Sequence, residues 1–251
     1  EGAGKTTQID RLMNWVHARN DAAIKTREPG GTPGADEIRK LIVTGAGDRW
    51  TAETELLLLL AARRDHVARV VDPALNEGTM VLCDRYIDST IAYQGIARGL
   101  GIERVRALDG DWGSAGTMPD LTFLLDLLPE EGIRRAQLRE GVDGETRFEG
   151  LDLSFHNDLR QGFLDLAKAE PDRIKIIDAS RPVDDIAAEI IGVNPLKAKI
   201  SAFAVSGFFV GISGALFFAV YLGAVEVGEA FGINKSFLVL FMIIIGGLGS
   251  I

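Results

Sequence analysis

Cysteine is almost missing from this chain of 251 residues, and the lone thiol of Cys83 excludes an internal disulfide and fits a reducing compartment. Histidine is nearly as scarce. His17, His66 and His156 lie too far apart to make a metal-ligand spacing. There is no surplus of basic charge either: the net charge is −9, and an acidic body disfavours binding to a nucleic-acid backbone. No charged stretch followed by a short apolar core opens the chain, so no secretory signal is read there.

The charge that is present is distributed unevenly. Residues 193–251 hold only Lys197, Lys199, Lys235, Glu226 and Glu229, which leaves −10 on residues 1–192 and +1 on the remainder. An anionic substrate of so acidic a part must be gripped by a few placed arginines rather than by a general field.

The chain opens on "EGAGKTTQID". Gly4, Lys5 and Thr6 match the end of the phosphate-loop pattern G-x-x-x-x-G-K-[ST], whose first glycine would fall upstream of Glu1. In such a loop Gly2 and Gly4 let the backbone N–H groups of residues 2–7 approach a phosphate, Lys5 reaches the outer phosphates and Thr6 offers a hydroxyl to Mg²⁺. A glycine-rich turn before a helix is the alternative. The strand that should precede the loop is absent and the first residue is not methionine, so the stretch reads as a domain cut at its amino end.

Apolar positions Ile9, Leu12, Met13 and Val16 recur at helical spacing after the loop. "AAIKTREPGGTPG" reads as a short strand entering a Pro/Gly turn, and "ADEIRKLIVTG" as a helix closed by Gly45. "TAETELLLLLAARRDHVARVVDPAL" reads as a long helix, apolar on most sides at its start and therefore buried. "TMVLCDRY", "DLTFLLDL" and "RIKIIDAS" are apolar runs ending in charge, the pattern of buried parallel strands whose carboxyl ends face a ligand. Alternating helices and strands make this a doubly wound α/β domain.

"TREPGGT" (26–32), "CDRYIDSTIAYQG" (83–95), "PDLTFLLDL" (119–127) and "RFEGLDLSFH" (147–156) follow the phosphate loop in an order and spacing similar to those of bacterial thymidylate kinases. The sequence resembles that family over about residues 1–185. The resemblance implies a P-loop nucleoside-monophosphate kinase fold, a parallel sheet here lacking its first strand. It also implies transfer of the γ-phosphoryl group of ATP to dTMP, with Mg²⁺ as cofactor and a homodimer as the assembly. The cofactor loop would be Gly2, Ala3, Gly4, Lys5, Thr6 and Thr7. Thr6 and Asp84 would serve the metal, Arg85 and Arg39 the dTMP phosphate, and Glu1 the 3′-hydroxyl of the acceptor sugar. Arg63 and Gln94 would read the thymine edge, with Ser89, Thr90 and Tyr93 nearby. One departure stands out: the family's stacking phenylalanine, one turn before Arg63, is Leu59 here, which implies weaker dTMP binding. "IRRAQLREGVDGETRFEG" resembles the family's lid, so Arg135, Arg139 and above all Arg147 are candidates to touch ATP. His66 and His156 read as surface or packing residues, and Trp15, Trp50 and Trp112 as core or edge packing. A missing central strand would leave two neighbours unpaired, which implies a poor kinase.

Residues 200–225 contain no charge and are long enough to cross a bilayer of roughly 30 Å as a helix. Gly207, Gly211 and Ala215 form a close-packing stripe, and Lys197 and Lys199 place that end on the cytoplasmic side. A second apolar run, 237–251, is shorter. A long core helix is the alternative. "AAEIIGVNPLKAK" and "GGLGSI" resemble pieces of the membrane permease subunit of branched-chain amino-acid ABC importers. The expected organisation is thus a kinase-like domain at 1–192 and a permease-like, lipid-embedded segment at 193–251, joined where the two resemblances overlap. The competing functional reading is a permease fragment carrying an inert kinase piece.

Overall fold

The structure is a computed structural model that describes residues 2–46, 48–138 and 152–192. The chain divides into two units, 1–192 and 193–251, and every described residue belongs to the first. Both apolar runs of the carboxyl-terminal part, 200–225 and 237–251, lie outside the described residues. Among the described residues no helix is long and apolar enough to cross a membrane.

Helix α1 (Lys5–Ala18) starts directly after Gly4, whose φ of 83° is the left-handed conformation that lets the loop turn into the helix. Strand β1 (Ala23–Arg27) leads into the Pro/Gly turn, and α2 (Pro33–Val43) follows with proline in its first turn. The Thr32 Oγ1 caps α2 by accepting from the Ala35 N–H at 3.1 Å. The long helical stretch comprises α3 (Ala52–His66), a π turn (Val67–Val71) and α4 (Asp72–Asn76). Its leucine run is not buried on most sides as expected. Leu56 and Leu60, one turn apart, enter the core, whereas Leu57 is 61 % exposed, because consecutive helical residues diverge by about 100°.

Strand β2 (Met80–Asp84) is followed by α5 (Ile87–Thr90), a π turn (Ile91–Ala97) and α6 (Ile102–Trp112). Then come β3 (Thr122–Asp126), α7 (Pro129–Gln137), α8 (Leu153–Ala169), β4 (Ile174–Asp178) and α9 (Val183–Ile190). Asp152 caps α8 by accepting the Phe155 N–H at 2.8 Å.

Among the described residues, four strands make two separate two-stranded parallel sheets rather than one continuous sheet. β1 pairs with β2 from Ala23↔Met80 to Arg27↔Asp84, and β3 with β4 from Thr122↔Ile174 to Asp126↔Asp178. The larger core gathers Leu56, Leu60, Ile87, Ile91, Val105 and Leu166, and a smaller one joins Ile177, Ala179 and Ile186. The strands read as fully buried include β2 and β3, yet no residue of either is fully buried. The division of the sheet explains this, since β2 and β3 both flank an open cavity.

Candidate active site

The loop that opens α1 is shaped by glycine. Gly2 has φ 66°, and a Cβ there would stand 2.2 Å from the Gly132 carbonyl oxygen, so the loop presses against α7 as closely as backbone allows. Ala3 and Lys5 line a cavity of about 730 Å³ together with Asp84, Arg85, Ser89 and Tyr93. The first two come from the phosphate-loop candidate and the other four from the end of β2 and the helix after it. Six of the sequence-predicted site residues, Ala3, Lys5, Asp84, Arg85, Ser89 and Tyr93, therefore line one space.

Asp84 closes β2, and its Oδ1 is buried without a hydrogen-bond partner among the described residues. An ionised carboxylate oxygen so placed is costly unless a cation or donor reaches it. Arg85, next in sequence, takes φ 66°, an uncommon conformation for a side-chain-bearing residue and one that turns the chain sharply at the strand end. Its guanidinium sits over the Tyr93 ring, 5.6 Å from the centroid. The ring is braced by Phe155 and Phe163 at centroid distances of 6.3 and 6.4 Å.

Arg63 lies elsewhere. It is only 2 % exposed, donating from Nε to Glu28 at 2.6 Å, from Nη1 to Asp109 at 2.7 Å and from Nη2 to Thr90 Oγ1 at 2.8 Å. Burial pushes its pKa down, but the carboxylates of Glu28 and Asp109 outweigh that and hold it above the ordinary value. His66, also fully buried, links Glu28 at 2.9 Å to Thr26 at 2.6 Å. His66 and His156 are thus packing histidines and not surface ones. Gln94 is buried with Nε2 donating to Glu55 at 2.8 Å, and its Oε1 has no partner among the described residues. Leu59 is half-buried one turn before Arg63.

A family model described as thymidylate kinase matches residues 1–190. The chain belongs to the thymidylate kinase family. It is 49 % identical over 193 residues to the thymidylate kinase of Caulobacter vibrioides, covering 77 % of this chain and 91 % of that protein. It is 42 % identical to the Bacillus pumilus thymidylate kinase, with 77 % and 90 % covered. Among solved structures it is similar to the thymidylate kinase of Ehrlichia chaffeensis, at 30 % identity and a TM-score of 0.60, covering 76 % of this chain and 92 % of that one. A second model, described as a branched-chain amino acid transport system permease component, matches residues 182–251.

The residues present fit the ATP and Mg²⁺ that a thymidylate kinase implies. The Gly2–Gly4 loop opens a helix amino terminus, Lys5 stands at its first position, and the buried Asp84 oxygen supplies the hard oxygen donor that Mg²⁺ favours. Thr6 and Thr7 lie exposed in the first turn of α1 and do not line the cavity. Nor do Arg39, Leu59, Arg63, Thr90 and Gln94. Arg39 donates from Nη1 to the Pro29 carbonyl at 2.9 Å, bracing the turn after β1. Arg135 is engaged by Glu131 at 2.6 Å and the Ala179 carbonyl at 3.1 Å, which ties it to the fold. Glu1, Arg139 and Arg147 lie outside the described residues.

Three polar partnerships had no signal in the sequence. Asp109 reaches Arg63 from α6, Asp126 holds Arg160 in a bidentate pair at 2.7 and 2.8 Å, and Asp88 holds Arg173 at 2.6 and 2.9 Å. Each joins residues at least 34 positions apart, a distance at which no periodicity speaks. Trp112, read as core or edge packing, is 70 % exposed on α6.

Proposed function

We propose that residues 1–192 form a phosphotransferase domain that moves the γ-phosphoryl group of ATP to dTMP, giving dTDP and ADP. The observation that carries this reading is the shared cavity, in which Lys5 of the phosphate loop meets Asp84, Arg85, Ser89 and Tyr93. The reaction breaks the bond between the γ-phosphorus and its bridging oxygen and forms one to a dTMP phosphate oxygen. That acceptor oxygen is already ionised at neutral pH, so no general base is needed, and neither buried histidine has a catalytic part. Positioning and charge neutralisation lower the barrier.

In this reading the N–H groups of residues 2–7 and the Lys5 ammonium hold the donor phosphates. Arg85, pre-set by its backbone turn and by Tyr93, takes the dTMP phosphate with a planar fork suited to two oxygens, and Arg39 assists. Gln94 accepts from the thymine edge through its unpartnered oxygen. Arg63 keeps two N–H groups beyond its three bonds and acts chiefly by fixing Glu28, Asp109 and Thr90 around that pocket. Ser89 and Thr90 border the nucleoside, Leu59 gives it an apolar contact, and Glu1 faces its sugar. Arg147 contributes charge from the lid. Thr6 and Asp84 would hold Mg²⁺, which would supply neutralising charge for the donor phosphates. The test is ADP release with dTMP, dCMP or AMP as acceptor: the reading requires a strong preference for dTMP, and acceptor-independent ATP hydrolysis would defeat it.

For residues 193–251 the charge-free run and the permease-component match favour a lipid-embedded segment that leaves the kinase domain on the cytoplasmic side. Alkaline carbonate extraction of expressed chain checks this, because release into the supernatant is the contrary result. A homodimer through the kinase domain is supported by the apolar patch of Leu57, Ala61, Leu108 and Trp112 on α3 and α6. Sedimentation of the parent beside Trp112→Glu checks it, with loss of the dimer expected in the variant.

A further inference from the structure

Gln94 and Glu55 form a buried pair with a built-in direction. Gln94 is 2 % exposed and Glu55 is fully buried. The Gln94 Nε2 donates to Glu55 Oε1 at 2.8 Å, whereas the Gln94 Oε1 has no partner among the described residues. Arg98, at the end of the same π turn, brings its Nη2 to 3.4 Å from the other Glu55 oxygen and so sets a cation beside the buried carboxylate. An amide side chain can present either its donor or its acceptor end, and its neighbours decide which. A carboxylate only accepts, so Glu55 takes the NH₂ end of Gln94 and turns the carbonyl end away from itself.

The direction matters because of what lies alongside. Glu55, Leu59 and Arg63 recur at every fourth residue of α3 and therefore lie along one stripe of that helix. Gln94 bonds the first member of the stripe, and Thr90 accepts from Nη2 of the last at 2.8 Å. The 90–94 stretch thus runs beside the stripe, with Leu59 between the two polar links. We propose that Glu55 is a positioning residue for base choice: it locks the Gln94 amide so that an acceptor, never a donor, is offered to the pyrimidine edge. Thymine and uracil carry an N3–H donor that matches this acceptor. Cytosine has an acceptor at N3 and is refused. The inference rests on the reading that Gln94 meets the thymine edge, and it adds the group that decides which end of the amide does so.

Equilibrium dialysis of labelled dTMP, dUMP and dCMP against the full chain in mild detergent tests this without requiring phosphoryl transfer. Glu55→Gln keeps the shape and a hydrogen-bond partner for Gln94 but can itself donate or accept, so the Gln94 amide is free to turn over. The preference for dTMP over dCMP should fall about tenfold or more, the range expected when a buried polar mismatch is relieved. The preference for dTMP over dUMP, which concerns only the methyl group, should not change. Glu55→Asp disturbs packing more yet remains acceptor-only, and should keep most of the discrimination against dCMP. These ratios do not depend on the fraction of folded protein. A parent that prefers dTMP, with the preference unaltered in Glu55→Gln, would overturn the inference and leave the reading of Gln94 standing. Equal weakening of all three nucleotides, or loss of discrimination in Glu55→Asp as complete as in Glu55→Gln, would reduce Glu55 to packing and overturn it too. A parent that binds dCMP as tightly as dTMP would defeat the reading and the inference together.

Discussion

Replacing Arg63 by methionine perturbs a deeply buried charge cluster of the domain. The guanidinium is 2 % exposed and is held by Glu28 at 2.6 Å, Asp109 at 2.7 Å and Thr90 at 2.8 Å. Methionine fills much of the volume but leaves two carboxylates, each 2–3 % exposed, facing one another without a cation. Breaking a buried pair in this way costs about 3–5 kcal/mol, since one partner's charge stays behind uncompensated. For a domain of this size about 2–4 °C of melting temperature is lost per kcal/mol, so the melt should fall by roughly 6–20 °C. Circular-dichroism melts of the full chain in mild detergent, parent against Arg63→Met, measure this. The triple variant Arg63→Met, Glu28→Gln, Asp109→Asn removes the stranded charges and should recover part of the loss. A fall of under about 1 kcal/mol in the single variant, or a triple variant worse than it, would refute the claim that paired charge is what Arg63 supplies here.

Gly2→Ala places a Cβ 2.2 Å from the Gly132 carbonyl oxygen at a φ of 66°, so the loop must shift; steady-state kinetics should show the KM for ATP raised several-fold with the KM for dTMP little changed. Leu59→Phe restores a flat ring one turn before Arg63 and should tighten dTMP binding several-fold by calorimetry, an aromatic contact being worth about 0.5–1.5 kcal/mol. Unchanged or weaker binding would place the base elsewhere. Hydrogen bonds from Arg134 and then Arg135 draw the Glu131 carboxyl from 4.5 down to about 2. A pKa depressed by folding adds stability that is present above about 4.5 and is lost as pH falls towards 2. The melting gap between parent and Glu131→Gln should therefore narrow over that window, and a gap that widens would contradict the pairing.

The elements were legible where local chemistry fixes them. Thr32, Thr51 and Asp152 cap helices as their residue types suggest, and the four stretches read as strands, "AAIKTREPGGTPG", "TMVLCDRY", "DLTFLLDL" and "RIKIIDAS", contain β1, β2, β3 and β4. The leucine run misled because five like residues carry no periodicity, and only packing shows that Leu56 and Leu60 are the inner pair. Linear motifs located part of the cavity lining: "GAGKTT" and "CDRYIDSTIAYQG" carry Lys5, Asp84, Arg85, Ser89 and Tyr93, which line one space. The burial of Arg63 was not, because its partner Asp109 sits 46 residues away on another helix. Trp112 was misjudged for a related reason: residue type suggests the interior, but its place on the outer face of α6 decides otherwise.

The central claim is that the strand-end cation of β2 presents an acceptor phosphate to the phosphate loop. Transfer of label from γ-labelled ATP to dTMP, measured on the full chain in mild detergent beside Arg85→Ala and His66→Gln, tests it most directly. The account predicts labelled dTDP from the parent and its loss, with a raised dTMP requirement, in Arg85→Ala. His66→Gln, judged at equal amounts of folded protein, should keep most of the rate. Label appearing only as free phosphate, or equal turnover in parent and Arg85→Ala, would contradict it.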